Sequence, residues 1–588
     1  MSVASETPER SVGRIVRVAG PVVTASGLER VRLYELVLVG EAGLMGEAIR
    51  LEGKTAVIQV YEDTFGLRAG DPVAATDAPL ALELGPGLLG SIFDGVQRPL
   101  VALAAEGGRA GAFLPKGATL PALDRARTWG FAPVVEAGRR VEAGSVLGTV
   151  AETPAIEHRV LVPPGVAGTV TDVRDGPAGV EDPVVWIDGR PLPMLQRWPV
   201  RRARPARRRL DPTRPLVTGQ RVIDTLFPVA IGGTAAIPGG FGTGKTVQEQ
   251  ALARWMEADV VVYVGCGERG NELTDVLEQF PRLVDPRSGA PLMERTILVA
   301  NTSNMPMAAR EASVYTGITL AEYYRDQGYD VVVLADSTSR WAEALREVSG
   351  RLEEMPGEEG YPAYLPARLA EFYERAGAVE CLGDEERRGS VTVVGAVSPP
   401  GGDLSEPVTQ HSLRVNGTLW ALDVDLARRR HFPAIDWIRS YSLYELSGWF
   451  HREVDPGWED ARRWALALLQ REEQLLAIVR ILGSDALAAP ERVVLRTGQR
   501  LREDFLRQSA FDPEDAFCPL DKQLRMLQVI RRVHDLAMDA VARGADPERV
   551  LELPAVVDVG RMRAWPPEEA RSRGDELLER LDREVAEL

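Results

Sequence analysis

Apolar and polar positions change rhythm three times along this chain of 588 residues. Up to about residue 75, short apolar runs (RIVRVAG, RLYELVLVG, KTAVIQVYE) alternate with glycine turns and show no sustained helical period. That rhythm predicts strands, and their spacing predicts a small β-barrel over residues 1–75. GPGLLGSIFDGVQRPL, dense in glycine and proline, opens a connection over 76–115, and a second β-rich stretch fills 116–190. From about Thr218 to Asp423 β-branched runs (GTAAIP, DVVVYVG, RTILVAN, DVVVLAD, SVTVVGAVS) alternate with helical segments, which predicts βα units on a mainly parallel sheet within 191–440. Ala312, Thr316, Leu320 and Tyr323 share one face at helical spacing between the third and fourth of these strands. Over 441–588 amphipathic helices take over, with Trp464, Leu468, Leu475, Val479 and Leu482 in one apolar stripe and Leu524, Leu527, Ile530 and Val533 in another. The expected architecture is therefore multidomain: a β-barrel, a β-rich insert, a central α/β domain and a C-terminal helical domain.

Length agrees, since one hydrophobic core serves at most about 250 residues. No run approaches the roughly 18 uncharged apolar residues that a membrane span needs. The N-terminus MSVASETPERSVGRIVRV lacks a basic region followed by an apolar one, so a cytoplasmic protein without a secretory leader is expected. Cys266, Cys381 and Cys518 are too scattered for a zinc site or a disulfide framework and are expected as buried thiols. A net charge of -17 disfavours nucleic acid, and the basic run RRARPARRR at 201–209 reads as a solvated linker edge. In the insert, VEAGSVLGTV and HRVLVPPGVAGTV are similar to the halves of a biotinyl or lipoyl carrier. A carrier needs a lysine at the turn, where Glu157 and His158 are expected instead, so a structural module is preferred.

The chemistry concentrates after the strand GTAAIP. Gly239, Gly240, Phe241, Gly242, Thr243, Gly244, Lys245 and Thr246 fit GxxxxGK[ST], followed by a helix with Val247, Ala251 and Trp255 on one face. Glycines let backbone N–H groups curl around phosphate oxygens at a helix N-terminus. Lys245 is then expected on the β and γ phosphates and the Thr246 hydroxyl on Mg²⁺. Asp336 ends an apolar strand at the sheet edge where ligands gather, which suits a hold on the magnesium side better than a plain helix cap. GCGERGNE comes directly after DVVVYVG, placing Glu268 to orient or deprotonate an attacking water and Arg269 to pair with a γ phosphate.

GGFGTGKT, GCGERGNE, DVVVLADSTSRWAEALREVSGRLEEMPGEEGYPAYLPARLAEFYERAG and SPPGGDLSEPVTQHS resemble the catalytic A subunits of V/A-type rotary ATPases, and the likeness runs almost end to end. The β-rich insert matches the extra domain that sets these subunits apart from the shorter F-type beta chain. The resemblance implies Glu268 as the catalytic carboxylate, Arg269 and Arg340 as γ-phosphate or interface partners, and Asp336 beside the magnesium. It also implies Phe432 stacked on adenine and Phe511 as a second wall of that pocket, with the P-loop and Val247 as the remaining nucleotide contacts. Thr243 stands where some relatives carry an oxidisable cysteine, so a regulatory disulfide at that loop is not expected.

The resemblance further implies interconversion of MgATP with ADP and phosphate, in a ring of three A and three B subunits around a rotor stalk. The B subunit would supply an arginine finger; the central and peripheral stalks would be further partners, and the membrane rotor an indirect one. The location implied is cytoplasmic, peripheral to the membrane. Two other readings share the P-loop: a hexameric nucleic-acid motor, which needs a barrel bearing aromatics and lysines that these strands lack, and a non-catalytic nucleotide-binding subunit, which would have lost Lys245 or Glu268.

Overall fold

The computed structural model describes residues 12–106, 116–383, 386–483 and 487–587. The first residues of the N-terminus and residues 107–115 of the connection lie outside the described residues. The chain divides into two compact units, one of Met1–Asp211, Ala258–Val397 and Ser405–Val415, the other of Pro212–Glu257, Ser398–Leu404 and Asn416–Leu588.

The first unit opens with a closed barrel of six strands, Val12–Ala19, Val22–Ser26, Glu35–Val39, Leu44–Glu52, Thr55–Val60 and Pro72–Pro79, ordered 1-2-5-4-3-6 in sequence numbering. Inward positions such as Val23, Val37, Ile58, Val60 and Val73 are fully buried, and closure leaves no edge to pair with another chain. The insert consists of two four-stranded antiparallel sheets. Val146–Ala151 pairs with Glu157–Leu161 in one of them, so the two carrier-like halves do meet. Glu157 and His158, expected in the turn, instead begin the second strand, and His158 is completely buried. Its Nδ1 lies 2.8 Å from Glu152 Oε2 and its Nε2 2.9 Å from the Tyr323 hydroxyl. Tyr324 donates to the same carboxylate at 3.0 Å, and the backbone N–H groups of Gly87 and Leu89 donate to it at 2.7 and 3.2 Å. Burial opposes charge on Glu152, yet His158 and those N–H groups hold its carboxyl below the usual carboxylate range.

Parallel strands then stand in the order Arg388–Val397, Asp330–Asp336, Val260–Glu268, Thr296–Thr302 and Ile92–Phe93. Their β-branched runs are buried from end to end, as a sheet covered on both faces requires. The helix Met307–Asp326 carries the expected stripe, but it is buried on nearly every side, polar residues included.

That helix explains a correction. The basic run is not a solvated edge throughout: Arg201 bridges Glu47 and Glu311, each at 2.7 Å, and Arg204 meets Asp326 at 2.6 Å. Arg375 adds a 2.5 Å pair with Glu322. Burial works against the Arg201 charge, but the two glutamates outweigh it and raise its pKa well above the ordinary arginine value. Arg207 and Arg208, 43% and 67% exposed at their side chains, remain on the surface, as expected.

The second unit pairs Thr234–Pro238 in parallel with Thr418–Leu419, which runs antiparallel to Tyr441–Ser442. Its helices include Lys245–Trp255, Trp458–Leu482, Ala489–Arg500, Leu520–Ala542 and Ala570–Ala586. Leu524, Leu527, Ile530 and Val533 are all core. In the other stripe Leu468 and Leu475 are buried while Leu482, at the helix end, is 67% exposed.

Candidate functional site

In the second unit, Thr234–Pro238 leads through the glycine loop into Lys245–Trp255, the strand, loop and helix order that the motif demands. Gly244 caps that helix at φ 86°, a left-handed conformation that a side chain resists. At Gly239 a Cβ would meet Thr243 Oγ1 at 2.5 Å and Leu422 Cβ at 2.9 Å, so glycine is needed for close packing there. The Thr243 hydroxyl donates to Gly240 O at 2.8 Å and braces the loop from inside. Lys245 Nζ donates to Gly239 O at 2.8 Å and Gly240 O at 3.1 Å, which keeps the ammonium over the loop. Thr246 follows on the first helical turn, Val247 is half exposed, and Phe241 is 79% exposed.

A cavity of 650 Å³ opens beside the loop, within the range of small-molecule sites. Gly242, Thr243, Gly244 and Val247 line one side, Phe432 and Phe511 another. Phe432 is half-buried, and Phe511, in the loop after Gln508, is 93% exposed. Both aromatics singled out in the sequence therefore meet the P-loop in one recess.

The remaining expected residues gather at the carboxyl edge of the first unit's parallel sheet. Asp336 is the last residue of its strand, 1% exposed, and accepts a 3.1 Å hydrogen bond from the Tyr263 hydroxyl. Ser337, not Asp336, holds the N-cap position of the next helix. Gly265 pairs in register with Asp336, and its strand runs on past a register shift to Glu268, which is half-buried. Arg269 caps the following helix and is exposed. Arg340 lies in the first turn after Asp336 and reaches the Glu343 carboxylate at 3.0 Å.

Two buried charged residues, one in each unit, escaped sequence reasoning. Arg310, 8% exposed, donates to Ser303 O at 2.8 Å, next to the backbone N–H of Ser303 that donates to Glu268 O at 2.8 Å. Burial lowers its pKa, with Glu343 opposing and Arg340 adding to the shift. In the second unit Asp224 is fully buried, accepting from the Thr218 backbone and hydroxyl, Gly219 N and Gln523 Nε2, and burial still pushes its carboxyl up to about 7. Neither sits in a local pattern that marks it out: Arg310 is followed directly by Glu311, and Asp224 comes three residues after Arg221.

Thr246 in the second unit and Asp336 in the first each carry a hard oxygen donor of the kind Mg²⁺ takes, and the glycine cradle suits phosphate. A P-loop that opens on an aromatic recess, in a chain whose acidic and basic side chains crowd the ends of parallel strands, is the mark of a RecA-like nucleotide-binding protein. Family models agree in chain order: the beta-barrel domain of the ATP synthase alpha/beta family matches residues 15–77, the alpha/beta subunit barrel-sandwich domain 120–201, the nucleotide-binding domain 219–442, and the C-terminal domain of V and A type ATP synthase 447–550. The A subunit of the A-type ATP synthase of Methanopyrus kandleri is 57% identical over 584 residues, covering 98% of both chains. That of Thermococcus kodakarensis is 57% identical over 97% of this chain and 99% of its own. The V-type ATP synthase alpha chain of an Anaeromyxobacter species is 60% identical over 92% of this chain and 93% of its own. The chain belongs to the ATP synthase alpha/beta family, in the branch that carries the V and A type C-terminal domain. Among the described residues no helix is long and apolar enough to cross a membrane.

Proposed function

We propose that the chain is the catalytic nucleotide-binding subunit of a V/A-type rotary ATPase or ATP synthase, interconverting MgATP with ADP and phosphate as the assembled complex moves protons or sodium ions. One observation carries this reading: the phosphate cradle and an aromatic-walled recess of nucleotide size share one cavity.

The triphosphate lies along the P-loop, with Lys245 leaving its carbonyl partners for the β and γ oxygens, and the base enters between Phe432 and Phe511. Thr246 and Asp336 would hold Mg²⁺, which when bound neutralises charge on the phosphate oxygens. Glu268 orients the attacking water and takes its proton as the oxygen bonds to the γ phosphorus and the bond to ADP breaks. Arg269 and Arg340 stabilise charge spreading over the equatorial oxygens, or face the neighbouring protomer of the ring. The B subunit supplies an arginine in trans, and rotor and peripheral stalks complete a complex seated on the cytoplasmic face of the membrane.

Lys245→Ala is expected to abolish MgATP binding by the purified chain, read with a fluorescent nucleotide. Adding the B subunit should raise turnover by about 10³ to 10⁵. Undiminished binding by the lysine variant would refute the site, and full turnover without a partner would refute the arginine in trans.

A further inference from the structure

Residues 219–221, which lie outside the motif, touch both sides of the cavity. Gln220 Oε1 accepts from Gln248 Nε2 at 2.6 Å, and Gln248 belongs to the P-loop helix. Gly219 packs so closely on Phe517 that a Cβ would meet its ring at 2.1 Å, and its carbonyl accepts from Cys518 N at 2.8 Å. Arg221, 0% exposed, turns the other way, into the loop that carries Phe511.

Its guanidinium grips that loop on three sides. Nε donates to Phe505 O, Nη2 donates to Arg507 O at 2.8 Å, and Nη1 lies 2.8 Å from Asp515 Oδ1. The backbone N–H of Arg221 donates to Gln508 Oε1 at 2.6 Å. Gln508 in turn donates through Nε2 to Asp515 O at 2.7 Å and to Gly219 O at 3.1 Å, while its N–H donates to Phe432 O at 2.6 Å. Asp515 Oδ2 accepts from Ser509 N at 2.7 Å, closing the loop on itself. Only a planar fork reaches two carbonyls and a carboxylate in different directions; an ammonium is a single point.

We infer that Arg221 is a positioning residue for the nucleotide: it fixes the distance between the phosphate cradle and the aromatic wall that receives the base. The inference rests on the proposed reading of the cavity as a base pocket. It predicts a split that general loss of stability would not give, because a ligand without a base needs only the cradle.

The test measures binding of MgATP and of magnesium tripolyphosphate to the full chain by calorimetry, in Arg221→Lys, in Asp515→Asn and in Phe432→Ala. Arg221→Lys is expected to weaken MgATP about tenfold and leave tripolyphosphate within twofold, and Asp515→Asn, which keeps the side-chain volume, to act in the same sense should the first variant not fold. Equal weakening of both ligands, or of neither, in the Arg221 and Asp515 variants overturns the positioning role. Phe432→Ala tells the two failures apart: if it too leaves the ratio of the two affinities unchanged, the base-pocket reading falls and takes this inference with it.

Discussion

Two regions of the first unit both carry charged side chains and differ in what the charges meet. Along the helix Met307–Asp326, Arg201, Arg204, Arg325 and Arg375 are each paired with a carboxylate at 2.7 Å or less, and none of the four side chains is more than 16% exposed. At the carboxyl edge of the parallel sheet, Glu268 and Arg340 stay partly exposed and Arg269 is open to solvent. A buried ion pair that satisfies its own hydrogen bonds has no capacity left for a ligand, and removing one member strands the other. Glu268, Arg269 and Arg340 instead keep part of their surface open to solvent, where a ligand can reach them. Charge density alone therefore does not mark a site; charge left accessible to a ligand is what sets the edge apart.

The sharpest break of this contrast is at the edge. Glu268→Gln is expected to lower turnover of the assembled complex by about 10² to 10⁴, the contribution of a positioned general base, while MgATP binding and thermal stability stay close to the parent. Steady-state hydrolysis and nucleotide binding on the same preparation read this, and a turnover within threefold of the parent would remove Glu268 from the reaction.

Next comes the seam of buried pairs along the helix. Arg201→Met leaves Glu47 and Glu311, 1% and 5% exposed at their side chains, facing each other without a cation. The expected loss is about 3 to 5 kcal/mol of folding stability, visible in denaturant midpoints, with the P-loop's affinity for MgATP retained. A loss below about 1 kcal/mol would mean that the pair barely outweighs its own desolvation.

These two regions were not equally legible in the sequence. The edge was: strands such as DVVVYVG and DVVVLAD announce themselves by composition, and the residues that end or closely follow such a run stand at the carboxyl end of the strand. The P-loop and the two phenylalanines were legible through motif and resemblance, and the cavity unites them. Three of six barrel strands stood out, whereas VVTAS, LMGEAIRLE and PVAATDAP are too short or too polar to do so. The seam was hidden for a different reason. RRARPARRR has the look of a solvated run because its partners, Glu47, Glu311 and Asp326, come from remote segments, and no local period carries that information. Arg221 was invisible on the same grounds, since its partners lie beyond residue 500.

The Glu152 and His158 pair refines the contrast with pH. Because the folded carboxyl titrates below its ordinary value, its contribution is present at neutral pH and is lost as pH falls through the depressed folded pKa. Glu152→Gln is thus expected to be less stable than the parent by about 1 to 3 kcal/mol at neutral pH, and the gap should narrow as pH drops below about 4.5. Urea midpoints along that series check it; a gap that widens on acidification would reverse the assigned sign.

The smallest effect isolates burial from sequence. Arg208 lies in the same basic run as Arg201 and also has a glutamate partner, Glu380, at 3.1 Å, but its side chain is 67% exposed. Water screens that pair and the long side chain loses entropy in forming it, so Arg208→Ala should cost about 0 to 1 kcal/mol. Measured beside Arg201→Met in the same denaturant series, it holds residue type, run and partner type constant while changing the surroundings. If the two variants proved equally destabilised, burial would not be what separates the halves of the run, and the two nearby carboxylates of Arg201 would have to be worth no more than the single one beside the exposed Arg208.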